Sequence, residues 1–265
     1  MADFVTLHEP MLRLGAFAVT MMVMACWEGA APRRLRALSR AARWPANIGI
    51  VAINTVAVRL LFPAAAVGAA LWAAESDIGL FHWAVVPQWA AIGLSVILLD
   101  LLIYGQHVMM HKVPLLWRLH RMHHMDRDVD FTTALRFHPV EIILSAGVKF
   151  LAVIALGAPA VAVIMFEVIL NSSAIFNHGN VRLPVRLDGI LRIIVVTPDM
   201  HRVHHSARAE ETNSNYGFAF AFWDRLFGTY RKSPARGHDA MTLGLPAFRA
   251  PGDGRLLSLL LNPLR

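Results

Sequence analysis

Apolar residues dominate four long stretches of the chain, 11 to 27, 46 to 74, 83 to 104 and 140 to 176, the last broken by Gly157-Ala158-Pro159. Each is long enough to cross a hydrocarbon core about 30 Å thick, so four or five membrane spans are expected. The polar segment between the third and fourth stretches, 106 to 139, reads as amphipathic helix. A second polar segment covers 177 to 235 and holds the aromatic run from Tyr216 to Tyr230. The fold expected is all-α: an integral membrane helical bundle with a histidine-rich helical cap on its cytoplasmic side. Three regions follow: N-terminal membrane helices at 1–105, a histidine-motif domain at 106–235 that includes the membrane hairpin 140–176, and a C-terminal tail at 236–265. The tail's apolar Leu256 to Leu261 suits a membrane interface.

Composition agrees with the pattern, since 56% of the 265 residues are hydrophobic and only 16% charged. Val23-Met24-Ala25-Cys26 resembles a lipoprotein cleavage box. The residues before it include Asp3 and Glu9 instead of a basic cluster, which favours a retained helix. Cys26 is the only cysteine, so no intrachain disulfide and no cysteine-based metal site is possible. The net charge of +7 raises nucleic acid as a partner, but its distribution excludes that reading. Arg33, Arg34, Arg36, Arg40 and Arg43 fill the connection after the first stretch, whereas Glu75 to Gln88 has no Lys or Arg. The positive-inside rule then places the arginine connection, residues 107 to 138 and everything after 177 in the cytoplasm, with the loop around Asp77 outside. A bacterial inner membrane is the expected location, and anionic lipid headgroups account for the basic surface.

Nine of the 13 histidines fall in four short groups: His107 and His111; His120, His123 and His124; His178; and His201, His204 and His205. On a helix, spacings of three and four residues bring side chains to one face. Neutral imidazole is a good ligand for iron, zinc or copper near neutral pH. Roughly 0.03 copies of His-x-x-His-His are expected by chance in such a chain, and two are present. Nine candidate ligands exceed the three or four that one zinc ion uses. Two ions, each with about four or five nitrogens and about 3.5 to 4 Å apart, match the count. No Glu-x-x-His occurs, so the site is histidine-dominated and unlike the carboxylate-rich di-iron bundles. Asp100, Tyr104, His107 and His111 step down one face of the third stretch. Asp100 is expected to orient an imidazole, the alternative being a hydrogen bond between packed helices.

These segments together resemble the fatty acid hydroxylase/sterol desaturase superfamily of membrane histidine-motif oxygenases. The resemblance rests on Asp100-x3-Tyr104-x2-His107-x3-His111, Leu116-Trp117-Arg118-Leu119-His120-Arg121-Met122-His123-His124 and Arg136-Phe137-His138-Pro139-Val140-Glu141. It continues through Asn177-His178-Gly179-Asn180 and Thr197-Pro198-Asp199-Met200-His201-Arg202-Val203-His204-His205-Ser206. Asn215-Tyr216-Gly217 and Trp223-Asp224-Arg225-Leu226-Phe227-Gly228-Thr229 complete it. It covers about residues 90 to 232, and Val108 departs from it where many members carry a basic residue. The resemblance implies that the nine clustered histidines are metal ligands. It implies His138 as a tenth, unless Pro139 merely starts a helix. Glu141, Asn215 and Asp224 are implied as supporting residues, the carboxylates accepting from ligand N–H groups and Asn215 fixing the loop after the last cluster, against ordinary capping and turn roles.

The resemblance also implies two non-haem iron ions, O2 as co-substrate and hydroxylation or desaturation of an unactivated C–H bond in a membrane lipid. No Gly-rich dinucleotide fingerprint is present. The electrons are therefore expected from a separate carrier of cytochrome b5, ferredoxin or reductase type. Three other classes compete. A zinc-dependent membrane hydrolase needs fewer histidines, a b-type cytochrome needs axial pairs inside its spans, and a metal transporter needs ligands at the bilayer midplane.

Overall fold

The computed structural model describes residues 6–265. Among them regular structure is helical, with isolated β-bridges and no extended strand. Five segments are long and apolar enough to cross a membrane: Glu9–Ala30, Arg40–Trp83, Gln88–Lys112, Pro139–Leu156 and Ala160–Asn177. The chain is a multi-pass helical membrane protein at the upper end of the expected span count. The helices that organise it are α1 (Glu9–Ala30), α2 (Arg40–Leu61), α3 (Ala65–Glu75), α4 (Gln88–Lys112), α5 (Pro114–His124), α6 (Pro139–Leu156), α7 (Ala160–Asn177), α8 (Pro198–His204) and α9 (Leu256–Leu260).

Sequence punctuation sets the breaks. Pro63 lacks an N–H and disfavours helix at Phe62, so the apolar stretch expected at 46 to 74 is divided into α2 and α3. Gly157 ends α6 in the left-handed region (φ 65°), and Pro159 immediately precedes α7, which forms the hairpin turn. Gly79 packs against this turn so closely that a Cβ there would lie 2.2 Å from the Gly157 nitrogen. The connection after α3 and the hairpin turn therefore share one end of the bundle. The start of α2, the end of α4, the start of α6 and the end of α7 meet at the other end, where the histidines lie.

Between the ends, α3 presents the small buried residues Ala66, Ala69, Ala70 and Ala73 and packs on α6 and α7. Small residues allow close backbone approach, the main source of helix association where lipid removes the hydrophobic drive. Leu99, Ile103, Val153, Val163 and Phe166 fill the space between α4, α6 and α7. A polar contact inside the bundle escaped the sequence reading. Buried Glu167 on α7 pairs with Arg13 of α1 at 2.9 Å and with Lys149 of α6. Each charge is compensated, and together they tie the first helix to the hairpin. The tail docks on the cap: Leu259 of α9 is buried against Ala46, Ile50, Met122 and Met125, while Leu257 and Leu261 are exposed.

Candidate metal centre

α4 carries His107 and His111 to the bundle end, and Pro114 at the first turn of α5 folds the chain back beside it. α5 then presents His120, His123 and His124. His178 follows the last residue of α7. The side chain of Thr197 caps α8, which carries His201 and His204, and His205 follows directly.

The nine histidines sort into two groups whose nitrogens can hold metal ions. His107, His111, His120, His124 and His204 form one, and His123, His178, His201 and His205 the other, with the ligand atoms of each group within 4.8 Å of one another. Each His-x-x-His-His motif contributes to both groups. His123 leaves its own motif to join His201 and His205, and His204 crosses the other way. Adjacent helix positions point about 100° apart, so His123 and His124 cannot face one ion.

Second nitrogens set the ring orientations. His107 Nδ1 lies 2.8 Å from the Tyr216 carbonyl, His178 Nδ1 2.7 Å from the Ala174 carbonyl, and His204 Nδ1 2.8 Å from the Ser214 carbonyl. His120 Nδ1 lies 2.7 Å from Glu141 Oε1. Placing N–H on Nδ1 leaves Nε2 as a lone-pair donor aimed inward, the outer arrangement usual for metal-bound imidazole. The Nε2 atoms of His107 and His204 are buried without a partner. In the second group the Nε2 atoms of His123, His178, His201 and His205 stand 3.0 to 3.3 Å apart along a chain of neighbours. Lone pairs brought this close in a buried site repel unless a cation lies between them, and the spacing suits nitrogens each about 2.1 Å from one ion. Burial lowers the pKa of His123, His124, His201 and His205 well below its ordinary value. It also takes His178 to about 4 and His204 to about 3. The rings are thus neutral and available as ligands at physiological pH.

The expected supporting residues divide. Glu141 meets His120 directly. Asp224 touches no imidazole: its carboxylate accepts from the Tyr216 and Gly217 amides at 2.7 and 2.8 Å, and the Tyr216 carbonyl in turn meets His107. Asn215 sits in the left-handed region (φ 54°), where Asn is tolerated. Its side chain spans to the Met200 and Arg231 carbonyls, both at 2.9 Å. Tyr104 hydroxyl lies 2.9 Å from Thr229 Oγ1, which donates to Asp224 at 2.6 Å.

Two further placements depart from the sequence reading. Asp100 meets no imidazole. It accepts from Trp223 Nε1 at 2.9 Å and from the Ala219 and Phe220 amides at 3.3 Å, holding α4 to the turn that carries Tyr216. His138 belongs to neither group; its Nδ1 accepts from the Val140 amide at the start of α6, and its Nε2 faces the Leu260 carbonyl at 3.0 Å. A proline immediately after it fixes that capping geometry. Asp100→Asn should therefore act on stability, because it turns an amide NH2 toward N–H donors. A loss of about 1–3 kcal/mol is expected, checked by thermal unfolding in detergent.

Sequence reasoning missed Glu28, whose buried carboxylate accepts from the Phe131 and Asn180 amides, both at 2.8 Å, and from Arg36. It braces the backbone beside His178. The signal was a carboxylate at the end of an apolar stretch. Also missed was the pair of Arg43 with Asp126 and Asp130. The three orienting carbonyls had no signal, since every residue carries one.

Known proteins are similar to this chain over the region that carries these histidines. The family model for fatty acid hydroxylase matches residues 92–229, more than half of the chain. An ornithine lipid hydroxylase of Rhizobium tropici is 28% identical over 148 residues, 56% of this chain and 44% of the relative. Alkylglycerol monooxygenase of Homo sapiens is 31% identical over 127 residues, 48% and 27% of the two chains. Cholesterol 25-hydroxylase of Homo sapiens is 26% identical over 175 residues, 60% and 63%. The match thus spans less than half the length of the first two relatives, and no solved structure gives a significant match. The matched region runs from α4 through the segment that carries Asp224 and Thr229 and contains all nine clustered histidines, so this chain belongs to the fatty acid hydroxylase family.

Proposed function

We propose that the protein is an O2-dependent oxygenase that binds two iron ions in the two histidine groups and hydroxylates or desaturates an unactivated C–H bond of a membrane lipid. One observation carries the reading: nine histidines, eight of them buried, divide five and four at the end of an apolar bundle. A single zinc hydrolase site uses fewer ligands. The relatives' names include an ornithine lipid, an alkylglycerol and cholesterol, which supports a lipid without choosing one. Asp100, Tyr104, Asn215 and Asp224 serve as positioning residues, whereas Glu141 acts on a ligand directly.

Iron supplies the one-electron chemistry through which dioxygen attacks a bond that has no acidic proton and no electrophilic carbon. The chain's own residues prepare the setting. Glu141 Oε1 holds the His120 Nδ1 proton, and the Tyr216, Ala174 and Ser214 carbonyls hold those of His107, His178 and His204. Phe137 stacks on His123 with ring centroids 4.4 Å apart, and Phe218 lies 6.2 Å from His107, so apolar rings shield the imidazoles from water. A lipid chain arrives through the apolar helices and electrons arrive at the cap.

Iron-loaded protein in lipid nanodiscs, given a reductant and 18O2, tests this. About two iron ions per chain are expected. Label in a lipid hydroxyl assigns hydroxylation, and a new double bond with label only in water assigns desaturation. Absence of any O2-dependent lipid product would sink the reading. Orientation follows from the arginine connection, with the histidine end cytoplasmic. In a Cys26→Ser background, cysteines at the exposed positions Ser76 and Ser233 should be labelled from opposite sides of the membrane, Ser233 from the cytoplasm. Labelling from one side refutes the topology.

A further inference from the structure

Of the nine clustered histidines, His111 alone is not fully buried, and it opens on a cavity. This cavity, about 340 Å³, is lined by His111, Trp117, Thr212, Asn213, Leu245 and Pro246 among others. A second cavity of about 300 Å³ shares Ala207 and Pro246 with it and is lined by Arg208, Arg236 and Arg249. Apart from His111 at the end of α4, every lining residue comes from outside the five apolar helices. This approach to His111 does not run between the five apolar helices.

The rim is basic. Arg208, Arg236 and Arg249 line the second cavity with one carboxylate, Glu211. Arg236 and Arg249 have no carboxylate within 4.0 Å among the described residues, whereas Arg208 is partly offset by Glu210 at 3.7 Å and Glu211 at 3.8 Å. Behind the rim, the Trp117 ring lies 4.9 Å from His111 and 5.4 Å from His124. An aromatic system thus spans from the cavity wall to two members of the five-histidine group.

We propose that this face docks an acidic one-electron carrier protein, and that its electrons pass through Trp117 and His111. Charge complementarity selects the partner, as a positive rim steers and orients an acidic surface. Tunnelling falls steeply with distance, which selects the one place where the centre approaches solvent. Each encounter oxidises the carrier by one electron and reduces the centre by one, and two encounters supply the two electrons that one O2 reaction consumes. This rests on the oxygenase reading, and its test uses binding and reduction rate, not product formation.

Two acidic probes, a [2Fe–2S] ferredoxin and the soluble domain of cytochrome b5, are titrated against iron-loaded protein in neutral nanodiscs. At least one should bind with an affinity that falls as salt rises. Arg208→Glu/Arg236→Glu should raise its Kd at least tenfold, while the equal charge change in Arg182→Glu/Arg186→Glu, which lines neither cavity, should raise it less than threefold. Trp117→Leu should bind the carrier normally, yet accept electrons from it at least tenfold more slowly in stopped flow. Failure of both probes to bind overturns the inference, as does equal weakening by the two double variants or an unchanged rate in Trp117→Leu. A rim reversal that weakens binding to phosphatidylglycerol vesicles and not to the carrier assigns the arginines to lipid and also overturns it. In each case an O2-dependent lipid product driven by dithionite would leave the oxygenase reading intact.

Discussion

His123→Ala and His204→Ala should each remove one iron ion per chain, but from opposite groups. His123 shares a helix with His120 and His124, yet its Nε2 lies 3.0 Å from that of His178. Its loss leaves three ligands in the four-histidine group and all five in the other. His204 sits between His201 and His205 in sequence but belongs with His107, His111, His120 and His124. Both variants should insert normally and lose turnover by on the order of a hundredfold or more, since a two-ion centre acts as a unit. Iron per chain should fall from about two to about one in each. Mössbauer spectra of the two variants should differ, because each retains a different ligand set. Near-normal turnover in either, or identical residual spectra, would contradict the division into two groups.

The second large effect concerns folding. Asp126 is buried two residues beyond His124 and receives both arms of Arg43, at 2.8 and 2.7 Å, with Thr133 Oγ1 at 2.8 Å. Arg43 also reaches Asp130 at 2.7 Å, and Arg136, 3.6 Å from Asp126, donates to the Met122 carbonyl. The start of α2 is thereby tied to the segment that follows α5, which sets where the first histidine motif lies relative to the bundle. Asp126→Ala leaves two buried guanidinium groups, Arg43 and Arg136, with Asp130 as the one remaining carboxylate, and an uncompensated buried charge of this kind costs about 3–5 kcal/mol. Loss of monodisperse protein in mild detergent is expected, with a lowered unfolding temperature in whatever fraction survives. Adding iron should restore little, since the defect precedes the site. Wild-type thermal stability in this variant would show that the α2 contact is dispensable.

Much of the molecule was legible along the chain because the information is local. Apolar length predicts spans, Gly157-Ala158-Pro159 predicts the hairpin turn, and His-x-x-x-His on a helix predicts rings on one face. Spacing and number nominate nine histidines as candidate ligands. The spacing within His-x-x-His-His did not show that His123 and His124 serve different groups. What each group contains does not follow from spacing, because α4, α5, α8 and His178 come together only through packing. Asp100 shows the same limit. Its place on the face that carries His107 suggested an imidazole partner, and the partner is instead the 219–223 turn, brought to it from more than a hundred residues away. Side-chain periodicity reports which direction a residue faces on its own helix. Only the tertiary structure decides what stands there, because carbonyls such as those of Tyr216, Ala174 and Ser214 are common to every residue and acquire a role solely from position.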